Sequence, residues 1–254
     1  MAQLLTLARD LKRRKARERK GYFVAEGIRT VEELLASRRA VTGALVCPAI
    51  HATSRGAALL AALQSRGVET VEVSDKEFES AADTENPQGV LAIAKAPSAT
   101  LSALDLPNGP LRLLVLDGVQ DPGNAGTLVR TGAALGVHAV IALPGTADLW
   151  SAKSIRSAVG AHFRRPVLHG DIAELQSLLA ESRIELWATA GDGAPIDASP
   201  APERLAVAVG NEGAGVSDAI RELAARSVAL PMSSGVESLN VAVAAGIALY
   251  ALRP

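Results

Sequence analysis

The carboxyl-terminal half of the chain repeats one pattern, in which a short, continuous apolar run is followed by a segment with helical spacing. Apolar runs without polar alternation are typical of parallel strands that are covered on both faces. We therefore predict an α/β fold with a mostly parallel sheet, whose ligands bind where the strands end. The predicted strands are 111–116, 139–143, 184–189, 205–209 and 227–230.

A proline-rich stretch separates this half from the residues before it. Residues 96–110 contain Pro97, Pro107 and Pro110, which exclude regular structure. We predict an amino-terminal domain at 1–96, a linker at 97–110 and a second domain at 111–254. In the first domain, helical patterns at 27–37 and 53–66 alternate with strand patterns at 41–47, 68–73 and 88–95, which predicts a small α/β/α sandwich.

The composition excludes several classes of protein. One cysteine cannot build a disulfide framework or a multi-cysteine zinc site, and the four histidines lack ligand spacing, so we predict no metal site. No apolar run reaches the roughly 18–20 residues of a membrane span. No secretory pattern begins the sequence, so we expect a cytoplasmic protein without a membrane partner. Seven aromatic residues are too few for a sheet that stacks RNA bases.

The charge is unevenly distributed. The whole chain carries −1, but residues 9–20 carry eight basic and two acidic side chains, which leaves −7 for the remainder. A short basic block on an acidic body is a common footprint of phosphate contact, although it is also compatible with a solvated helical face. The residues that we predict to contact RNA are Arg13, Arg14, Lys15, Arg17 and Lys20.

A constrained loop follows the first strand of the second domain. Pro122, Gly123 and Asn124 shape a tight turn, and Gly126 allows close approach of the backbone. A helix that carries Arg130 comes next. An ordinary strand-to-helix turn with a surface arginine is the alternative, but such a turn rarely needs so many constrained residues.

Two further loops follow apolar strands in the same domain. Residues 209–215 hold three glycines and one charge, Glu212, as expected for backbone wrapped around a ligand. Residues 230–240 place Ser238 and Asn240 at the start of an apolar helix, where backbone N–H groups are unpaired. The alternatives are a flexible turn with a solvated glutamate and simple N-capping.

The three loops together resemble the SpoU (TrmH-like) family within the SPOUT class of RNA methyltransferases. The similarity lies in LDGVQDPGNAGTLVRTGAALGVHAVI, LAVAVGNEGAGVS and VALPMSSGVESLNVAVAAGIALY, which occur in the family's order over most of 113–250. The segments FVAEGIRTVEELLAS and NPQGVLAIAK resemble the L30e-like substrate-binding domain often joined to that family. Common nucleotide motifs (GxGxxG and GxxxxGK[ST]) and the GxSxG nucleophile elbow are absent from the sequence.

The resemblance implies a fold and a reaction. Family members form a deep trefoil knot from the second and third loops, bind S-adenosylmethionine there, and pair as homodimers through the knotted domain. Knots are otherwise nearly absent from proteins, so this expectation opposes the general rule of topology. The implied reaction transfers a methyl group to a ribose 2′-hydroxyl, which excludes DNA as the substrate.

The resemblance also assigns residue roles. The implied catalytic residues are Asn124, Arg130, Glu212, Ser238 and Asn240. Those implied to hold the methyl donor are Gly210, Asn211, Gly215, Leu230 and Leu239. The family's proposed general base corresponds to Arg130, but a guanidinium offers donors only and would need strong local assistance to lose its proton. We therefore expect this side chain instead, or also, to clamp a phosphate and stabilise the emerging alkoxide.

The first domain narrows the choice of RNA substrate. The L30e-like domain accompanies branches of the family that modify ribosomal RNA, so 23S rRNA is the preferred substrate and tRNA the alternative. A protein of another class, an RNA-binding or ribosome-assembly factor that uses this fold without catalysis, remains open. The intact set of polar loop residues argues against that alternative.

Overall fold

The computed structural model describes residues 2–197, 200–233, 235 and 238–253. The chain folds into two compact units: Met1–Ser98 with Trp150–Arg164, and Ala99–Leu149 with Arg165–Pro254. In chain order, the helices and strands are α1 (Ala2–Asp10), α2 (Arg14–Lys20), β1 (Tyr22–Glu26), α3 (Ile28–Ala36), β2 (Val41–Val46), α4 (Ser54–Ser65), β3 (Thr70–Glu72), α5 (Asp75–Ala81), β4 (Val90–Lys95), β5 (Leu111–Asp117), α6 (Pro122–Ala134), β6 (Ala139–Ala142), α7 (Ala152–Ala158), β7 (Val167–His169), α8 (Ile172–Ser182), β8 (Glu185–Pro195), β9 (Arg204–Gly210), α9 (Asp218–Leu223), β10 (Arg226–Ala229) and α10 (Val241–Ala251).

The first unit is a mixed four-stranded sheet between helices, in the order β1-β4-β2-β3. Strand β4 is antiparallel to β1 and β2, and β3 runs parallel to β2. Helices α1 and α5 contact each other, and so do α3 and α4. Strand β1 was missed in the sequence because its buried residues, Phe23 to Glu26, form no alternating pattern. The mixed α/β character agrees with the prediction.

Residues 150–164 require a correction to the sequence boundaries, which place them in the second domain. Here they group with the first unit because aromatic rings pack together: the centroid of the Phe23 ring lies 4.9 Å from that of Trp150 and 5.8 Å from that of Phe163. The buried carboxylate of Glu26 lies 3.8 Å from the Arg156 guanidinium. These contacts join residues far apart in the sequence, which local patterns cannot reveal.

The second unit contains a six-stranded sheet with the order β10-β8-β9-β5-β6-β7, and all of its pairings are parallel. The five predicted strands are present, and β7, only three residues long, was missed. Strands β5 and β9 lie at the centre and are almost wholly buried. The predicted mostly parallel α/β fold is confirmed.

The predicted linker at 97–110 also needs a correction. Leu101 begins a short 3₁₀ turn, is 1% exposed, and belongs to the second unit's core with Leu104 and Leu106 packed against it. Proline did exclude long elements there, but three leucines were enough to fix the segment to the core. No helix among the described residues is long and apolar enough to cross a membrane.

A buried arginine fixes the end of the last helix. Arg112 in β5 is 3% exposed, and its guanidinium donates to the carbonyl oxygens of Leu252 at 2.5 Å, Glu203 at 2.8 Å and Leu111 at 2.9 Å. Since Leu252 caps α10 at its carboxyl end, the cation also faces the negative end of the helix dipole.

Candidate active site

The first loop is shaped by side chains that hold its backbone. Asp121 caps α6 and accepts a hydrogen bond from the Asn124 amide at 2.8 Å, with Pro122 at the first helical position. Thr146 accepts from the Gly118 amide at 3.0 Å and donates to the carbonyl of Leu116 at 2.8 Å. The loop therefore presents Asn124 in a defined position at the carboxyl end of β5.

The second loop folds back on itself directly after β9. Asn211 and Gly215 exchange backbone hydrogen bonds at 2.8 and 2.9 Å. A Cβ atom at Gly210 would lie 2.0 Å from the carbonyl carbon of Gly215, so only glycine fits. The Asn211 side chain accepts from the amides of Gly213 and Ala214 and donates to the carbonyl of Gly118, 3.0 Å away in the first loop.

Three polar side chains from the three loops form a hydrogen-bonded series, here called the amide relay. Asn240 caps α10 by accepting from the amides of Ala242 and Val243. Its Nδ2 donates to Oδ1 of Asn124 at 3.0 Å, and Nδ2 of Asn124 donates to Oε1 of Glu212 at 2.9 Å. The N-cap predicted as an alternative for Asn240 is thus present together with the polar contact.

The acceptor at the end of the amide relay is ionised. Burial alone would raise the pKa of Glu212, but hydrogen bonds from the Asn124 side chain and from backbone amides, including that of Gln120, bring the pKa below its ordinary value. Glu212 therefore acts as an acceptor at neutral pH and does not supply a proton.

A cavity of about 380 Å³ lies beside the relay at the carboxyl ends of β8, β9 and β10. All five residues predicted to hold the methyl donor line it: Gly210, Asn211, Gly215, Leu230 and Leu239. Of the predicted catalytic residues, Glu212 and Ser238 line it as well. The second and third loops thus contribute much of the cavity wall, where the family resemblance implies the methyl donor.

Arg130 stands apart from these groups. It is exposed on α6, does not line the cavity, and makes no hydrogen bond or ion pair with another residue that the structure describes. Its guanidinium is therefore available for a ligand. The rest of the third loop includes Ser234, Val236 and Glu237, which lie outside the described residues.

Two residues at this edge of the sheet were missed in the sequence. Asp117, 7% exposed, accepts from the amide of Ser217 at 2.6 Å and so ties the end of the second loop to β5. Arg221 on α9 lines the cavity and pairs with Asp192 at 3.2 Å. Asp117 lies in the first loop motif but was not singled out there, and Arg221 on α9 lies outside the three motifs.

The predicted RNA-contact residues lie in the first unit and are largely paired with their neighbours. Arg13 pairs with Asp10 at 2.8 Å and Arg14 with Glu18 at 2.8 Å. Lys20 also approaches Asp10, at 3.4 Å, whereas Lys15 is exposed. Arg17 needs a correction, because it is only 9% exposed and donates to the carbonyls of Leu11 and Lys12, so it cannot reach a phosphate in this conformation.

Comparison with protein families settles the group to which the chain belongs. The model of the SpoU rRNA Methylase family matches residues 112–250. The chain belongs to the SpoU rRNA methylase family. A model of the MRM3-like substrate binding domain matches residues 6–92, so the expectation of a SpoU enzyme with an amino-terminal substrate-binding domain is confirmed.

Relatives of this SpoU protein are named as rRNA methyltransferases. It is 35% identical to the 23S rRNA (guanosine(2553)-2′-O)-methyltransferase RlmP of Bacillus subtilis. The match extends over 246 residues, which are 96% of this chain and 94% of the relative. It is 34% identical over 201 residues to the 23S rRNA (guanosine-2′-O-)-methyltransferase RlmB of Escherichia coli, which covers 76% and 82%.

Solved structures agree with this placement of the SpoU chain. The SpoU methyltransferase AviRb from Streptomyces viridochromogenes, in complex with the cofactor AdoMet, superposes with a TM-score of 0.89 at 25% identity, over 98% of this chain and 96% of that chain. An RNA 2′-O ribose methyltransferase superposes with a TM-score of 0.82 at 29% identity, over 98% and 95%. The prediction of a methyltransferase enzyme is confirmed.

Proposed function

We propose that this protein transfers the methyl group of S-adenosylmethionine to the 2′-hydroxyl of a guanosine in 23S rRNA. Family membership and the names of the relatives support the reaction and the substrate class. The observation that carries the proposal for these residues is the amide relay beside a cavity at the strand ends. A tRNA substrate and a role without catalysis are the alternatives that the test below addresses.

The cavity suits S-adenosylmethionine as the cofactor. Its volume of about 380 Å³ falls in the range of small-molecule sites. Gly191 and Gly215 line it with open space where a Cβ would stand, so backbone groups face the ligand directly. When bound, the sulfonium supplies an electrophilic methyl group. The protein supplies position and electrostatics.

The relay has one direction, and this fixes what it offers to RNA. The N-terminal amides of α10 occupy Oδ1 of Asn240, so its NH₂ group faces Asn124, whose own NH₂ group faces the Glu212 carboxylate. Each amide keeps one further N–H, and each carbonyl oxygen already accepts at least one hydrogen bond. The remaining N–H groups are donors that suit the ribose 2′-oxygen as it gains negative charge.

Arg130 and Ser238 complete the proposed catalytic set. Arg130, exposed and outside the relay, clamps the phosphate next to the reacting ribose and stabilises the alkoxide. Ser238 lines the cavity, and its hydroxyl orients the 2′-oxygen towards the methyl group. An in-line displacement depends on such positioning, which can supply up to about 7–11 kcal/mol.

Radiolabelled methyl transfer tests the proposal. The full chain is incubated with labelled S-adenosylmethionine and either a 23S rRNA transcript or bulk tRNA, and 2′-O-methyl nucleotides are mapped by their resistance to alkali. We expect label on 23S rRNA guanosine with the wild type and with Asn108→Ala, an exposed asparagine in the same unit, and little with Asn124→Ala. Label on tRNA alone would show that tRNA, and not 23S rRNA, is the substrate. Base methylation, or equal RNA binding without transfer, would contradict the proposal.

The proposal includes a trefoil knot in the second unit and a homodimer formed through that unit. Val243, Ile247 and Tyr250 are 51%, 46% and 59% exposed and share one face of α10. A stripe of large apolar side chains beside the site supports association with a second copy. Ile247→Asp should give monomers in light scattering, whereas Ala219→Asp on α9 should not. A wild type that is monomeric throughout would refute the dimer.

The proposal also includes RNA binding by the first unit and a cytoplasmic location. Arg13, Arg14, Lys15 and Lys20 hold the RNA backbone in a cytoplasmic protein. The ion pairs of Arg13, Arg14 and Lys20 are exposed or partly exposed. Surface pairs are worth only about 0–1 kcal/mol, so phosphates can replace the acidic partners. Binding that depends on phosphate contacts weakens steeply as salt rises.

A further inference from the structure

The structure assigns a role to an ion pair at the rim of the cavity: we infer that Arg221 and Asp192 bind the α-amino-acid end of the methyl donor. This inference rests on the proposed function, since it concerns the ligand of that cavity. It adds two residues that neither the sequence motifs nor the amide relay includes.

The position of Asp192 results from an irregularity in β8. Pairing between β8 and β10 passes from Ala188 opposite Ser227 to Ala194 opposite Val228, so residues 189–193 have no partner in β10. Gly193 lets β8 resume pairing with β10 at Ala194, because a Cβ at this position would lie 2.6 Å from the backbone nitrogen and carbonyl carbon of Val228. The bulge places Thr189, Ala190 and Gly191 in the cavity wall and carries Asp192 just beyond them.

The partner comes from a separate element. Arg221 on α9 lines the cavity, and its Nη1 donates to the two carboxylate oxygens of Asp192 at 3.2 and 3.5 Å. The side chains are 37% and 76% exposed, so the pair stands at the rim and not in the core. An exposed pair of this kind costs little to open, on the order of 1 kcal/mol or less.

The charges of the cavity match those of the donor. Among the described residues that line it, Glu212 and Arg221 are the only charged side chains, and Glu212 is engaged in the amide relay. S-adenosylmethionine carries an α-carboxylate, an α-ammonium and a sulfonium. A carboxylate needs a cationic or N–H partner when it leaves water, and Arg221 is the one described cation available to it.

When the donor binds, Arg221 and Asp192 exchange each other for the charged groups of the ligand. A zwitterionic amino acid presents a carboxylate and an ammonium a few ångströms apart, which is the complement of a guanidinium beside a carboxylate. Arg221 takes the α-carboxylate in a fork of two N–H groups, and Asp192 takes the α-ammonium. The existing ion pair keeps both side chains in place before the ligand arrives, which lowers the entropy cost of binding.

Calorimetry with two probes tests this assignment. S-adenosylhomocysteine has the amino-acid end, and 5′-methylthioadenosine lacks it. For Arg221→Ala we expect binding of S-adenosylhomocysteine to weaken about tenfold, the lower range for a hydrogen-bonded charge. The affinity for 5′-methylthioadenosine should stay within about twofold of the wild type. Arg221→Lys should recover part of the loss, and Asp192→Asn should weaken only S-adenosylhomocysteine.

The controls separate local from general effects. Arg183→Asn removes an exposed positive charge just before the amino end of β8, whereas the cavity lies at the carboxyl ends of the strands. Asparagine tolerates the positive φ of 52° found there, so this variant should leave both affinities unchanged. Thermal unfolding of each variant reports whether the fold is intact.

Three outcomes would overturn the inference. The first is equal weakening of both probes by Arg221→Ala, which indicates a general effect on the cavity. The second is no change for either probe in Arg221→Ala, which removes this inference alone; an accompanying loss of RNA affinity would assign Arg221 to a phosphate. The third is a wild type that binds neither probe, which removes the proposed function as well.

Discussion

The loops of the second unit and residues 9–20 of the first unit, here called the basic segment, show two ways in which polar residues can be arranged. In the amide relay, Asn124 meets Glu212 and Asn240 across 88 and 116 residues of sequence. In the basic segment, Arg13 and Arg14 pair with acids three and four residues away. Residues brought together over long distances form the amide relay beside a cavity, whereas neighbouring acids already engage part of the basic segment's positive charge. A dense run of charge is thus a weaker sign of function than a few scattered polar residues at strand ends.

Removing the centre of the relay should have the largest effect. Asn124→Ala deletes a donor to the ribose oxygen and the link between Asn240 and Glu212, so kcat should fall about 100- to 1000-fold, as for loss of a single transition-state donor. Single-turnover methyl transfer measures this. The melting temperature should change little because the Asn124 side chain is only half-buried. Unchanged single-turnover rates would show that the relay does not serve catalysis.

The next effect tests the close packing of the second loop. Gly210→Ala forces a Cβ to within 2.0 Å of the Gly215 carbonyl carbon, so the loop must move, and we expect a loss of about 1–3 kcal/mol in unfolding free energy together with donor binding. Denaturant unfolding and calorimetry check this. Gly213→Ala is the matched control, since its Cβ would lie 3.6 Å from Asn211 Oδ1 in ordinary contact. Equal behaviour of the two variants would count against the geometry.

Within the basic segment, one arginine should affect stability and one lysine should affect RNA binding. Arg17→Ala leaves the carbonyls of Leu11 and Lys12 without this donor and should cost about 1–3 kcal/mol in unfolding free energy. Lys15→Ala should leave stability unchanged and reduce the slope of log affinity against log salt by about 1. If Arg17→Ala changed only the salt slope and Lys15→Ala changed only the stability, the burial of Arg17 would not explain the different roles of the two residues.

The smallest expected effect is a pH dependence at Glu212. Its pKa lies below the ordinary 4.5, so the ionised group stabilises the folded state above about pH 4.5, and this contribution disappears as the pH falls through the lower folded value. Glu212→Gln should therefore have a slightly lower melting temperature than the wild type at pH 7, and the difference should vanish in acid. A difference that grows as the pH falls would contradict the assigned direction.

The strands and loops of the second unit could be predicted because their signals are local. Strand β5 is a run of buried residues, and Asp171 and Ser217 cap α8 and α9 by accepting from amides only three residues further on. The groups that were missed depend on distant partners. Arg112 has no motif, and its function as a brace for α10 depends on a carbonyl 140 residues away.

Burial was likewise invisible in the basic segment. Arg17 sits among charged residues, and nothing in its neighbourhood shows that it faces inward. The attachment of Trp150 to the first unit follows from ring packing between distant segments. Sequence patterns therefore located the loops, but the pairing inside them and the division of the chain required three-dimensional contacts.

The separation of 116 residues between Asn124 and Asn240 has a consequence during translation. Ribosomes add about 5–20 residues per second, so roughly 6–23 seconds pass between the synthesis of one asparagine and the other. A nascent chain in that interval can have its central strands in place, yet it lacks the asparagine that completes the amide relay. Under the proposed function, methyl transfer therefore has to wait until α10 has been synthesised.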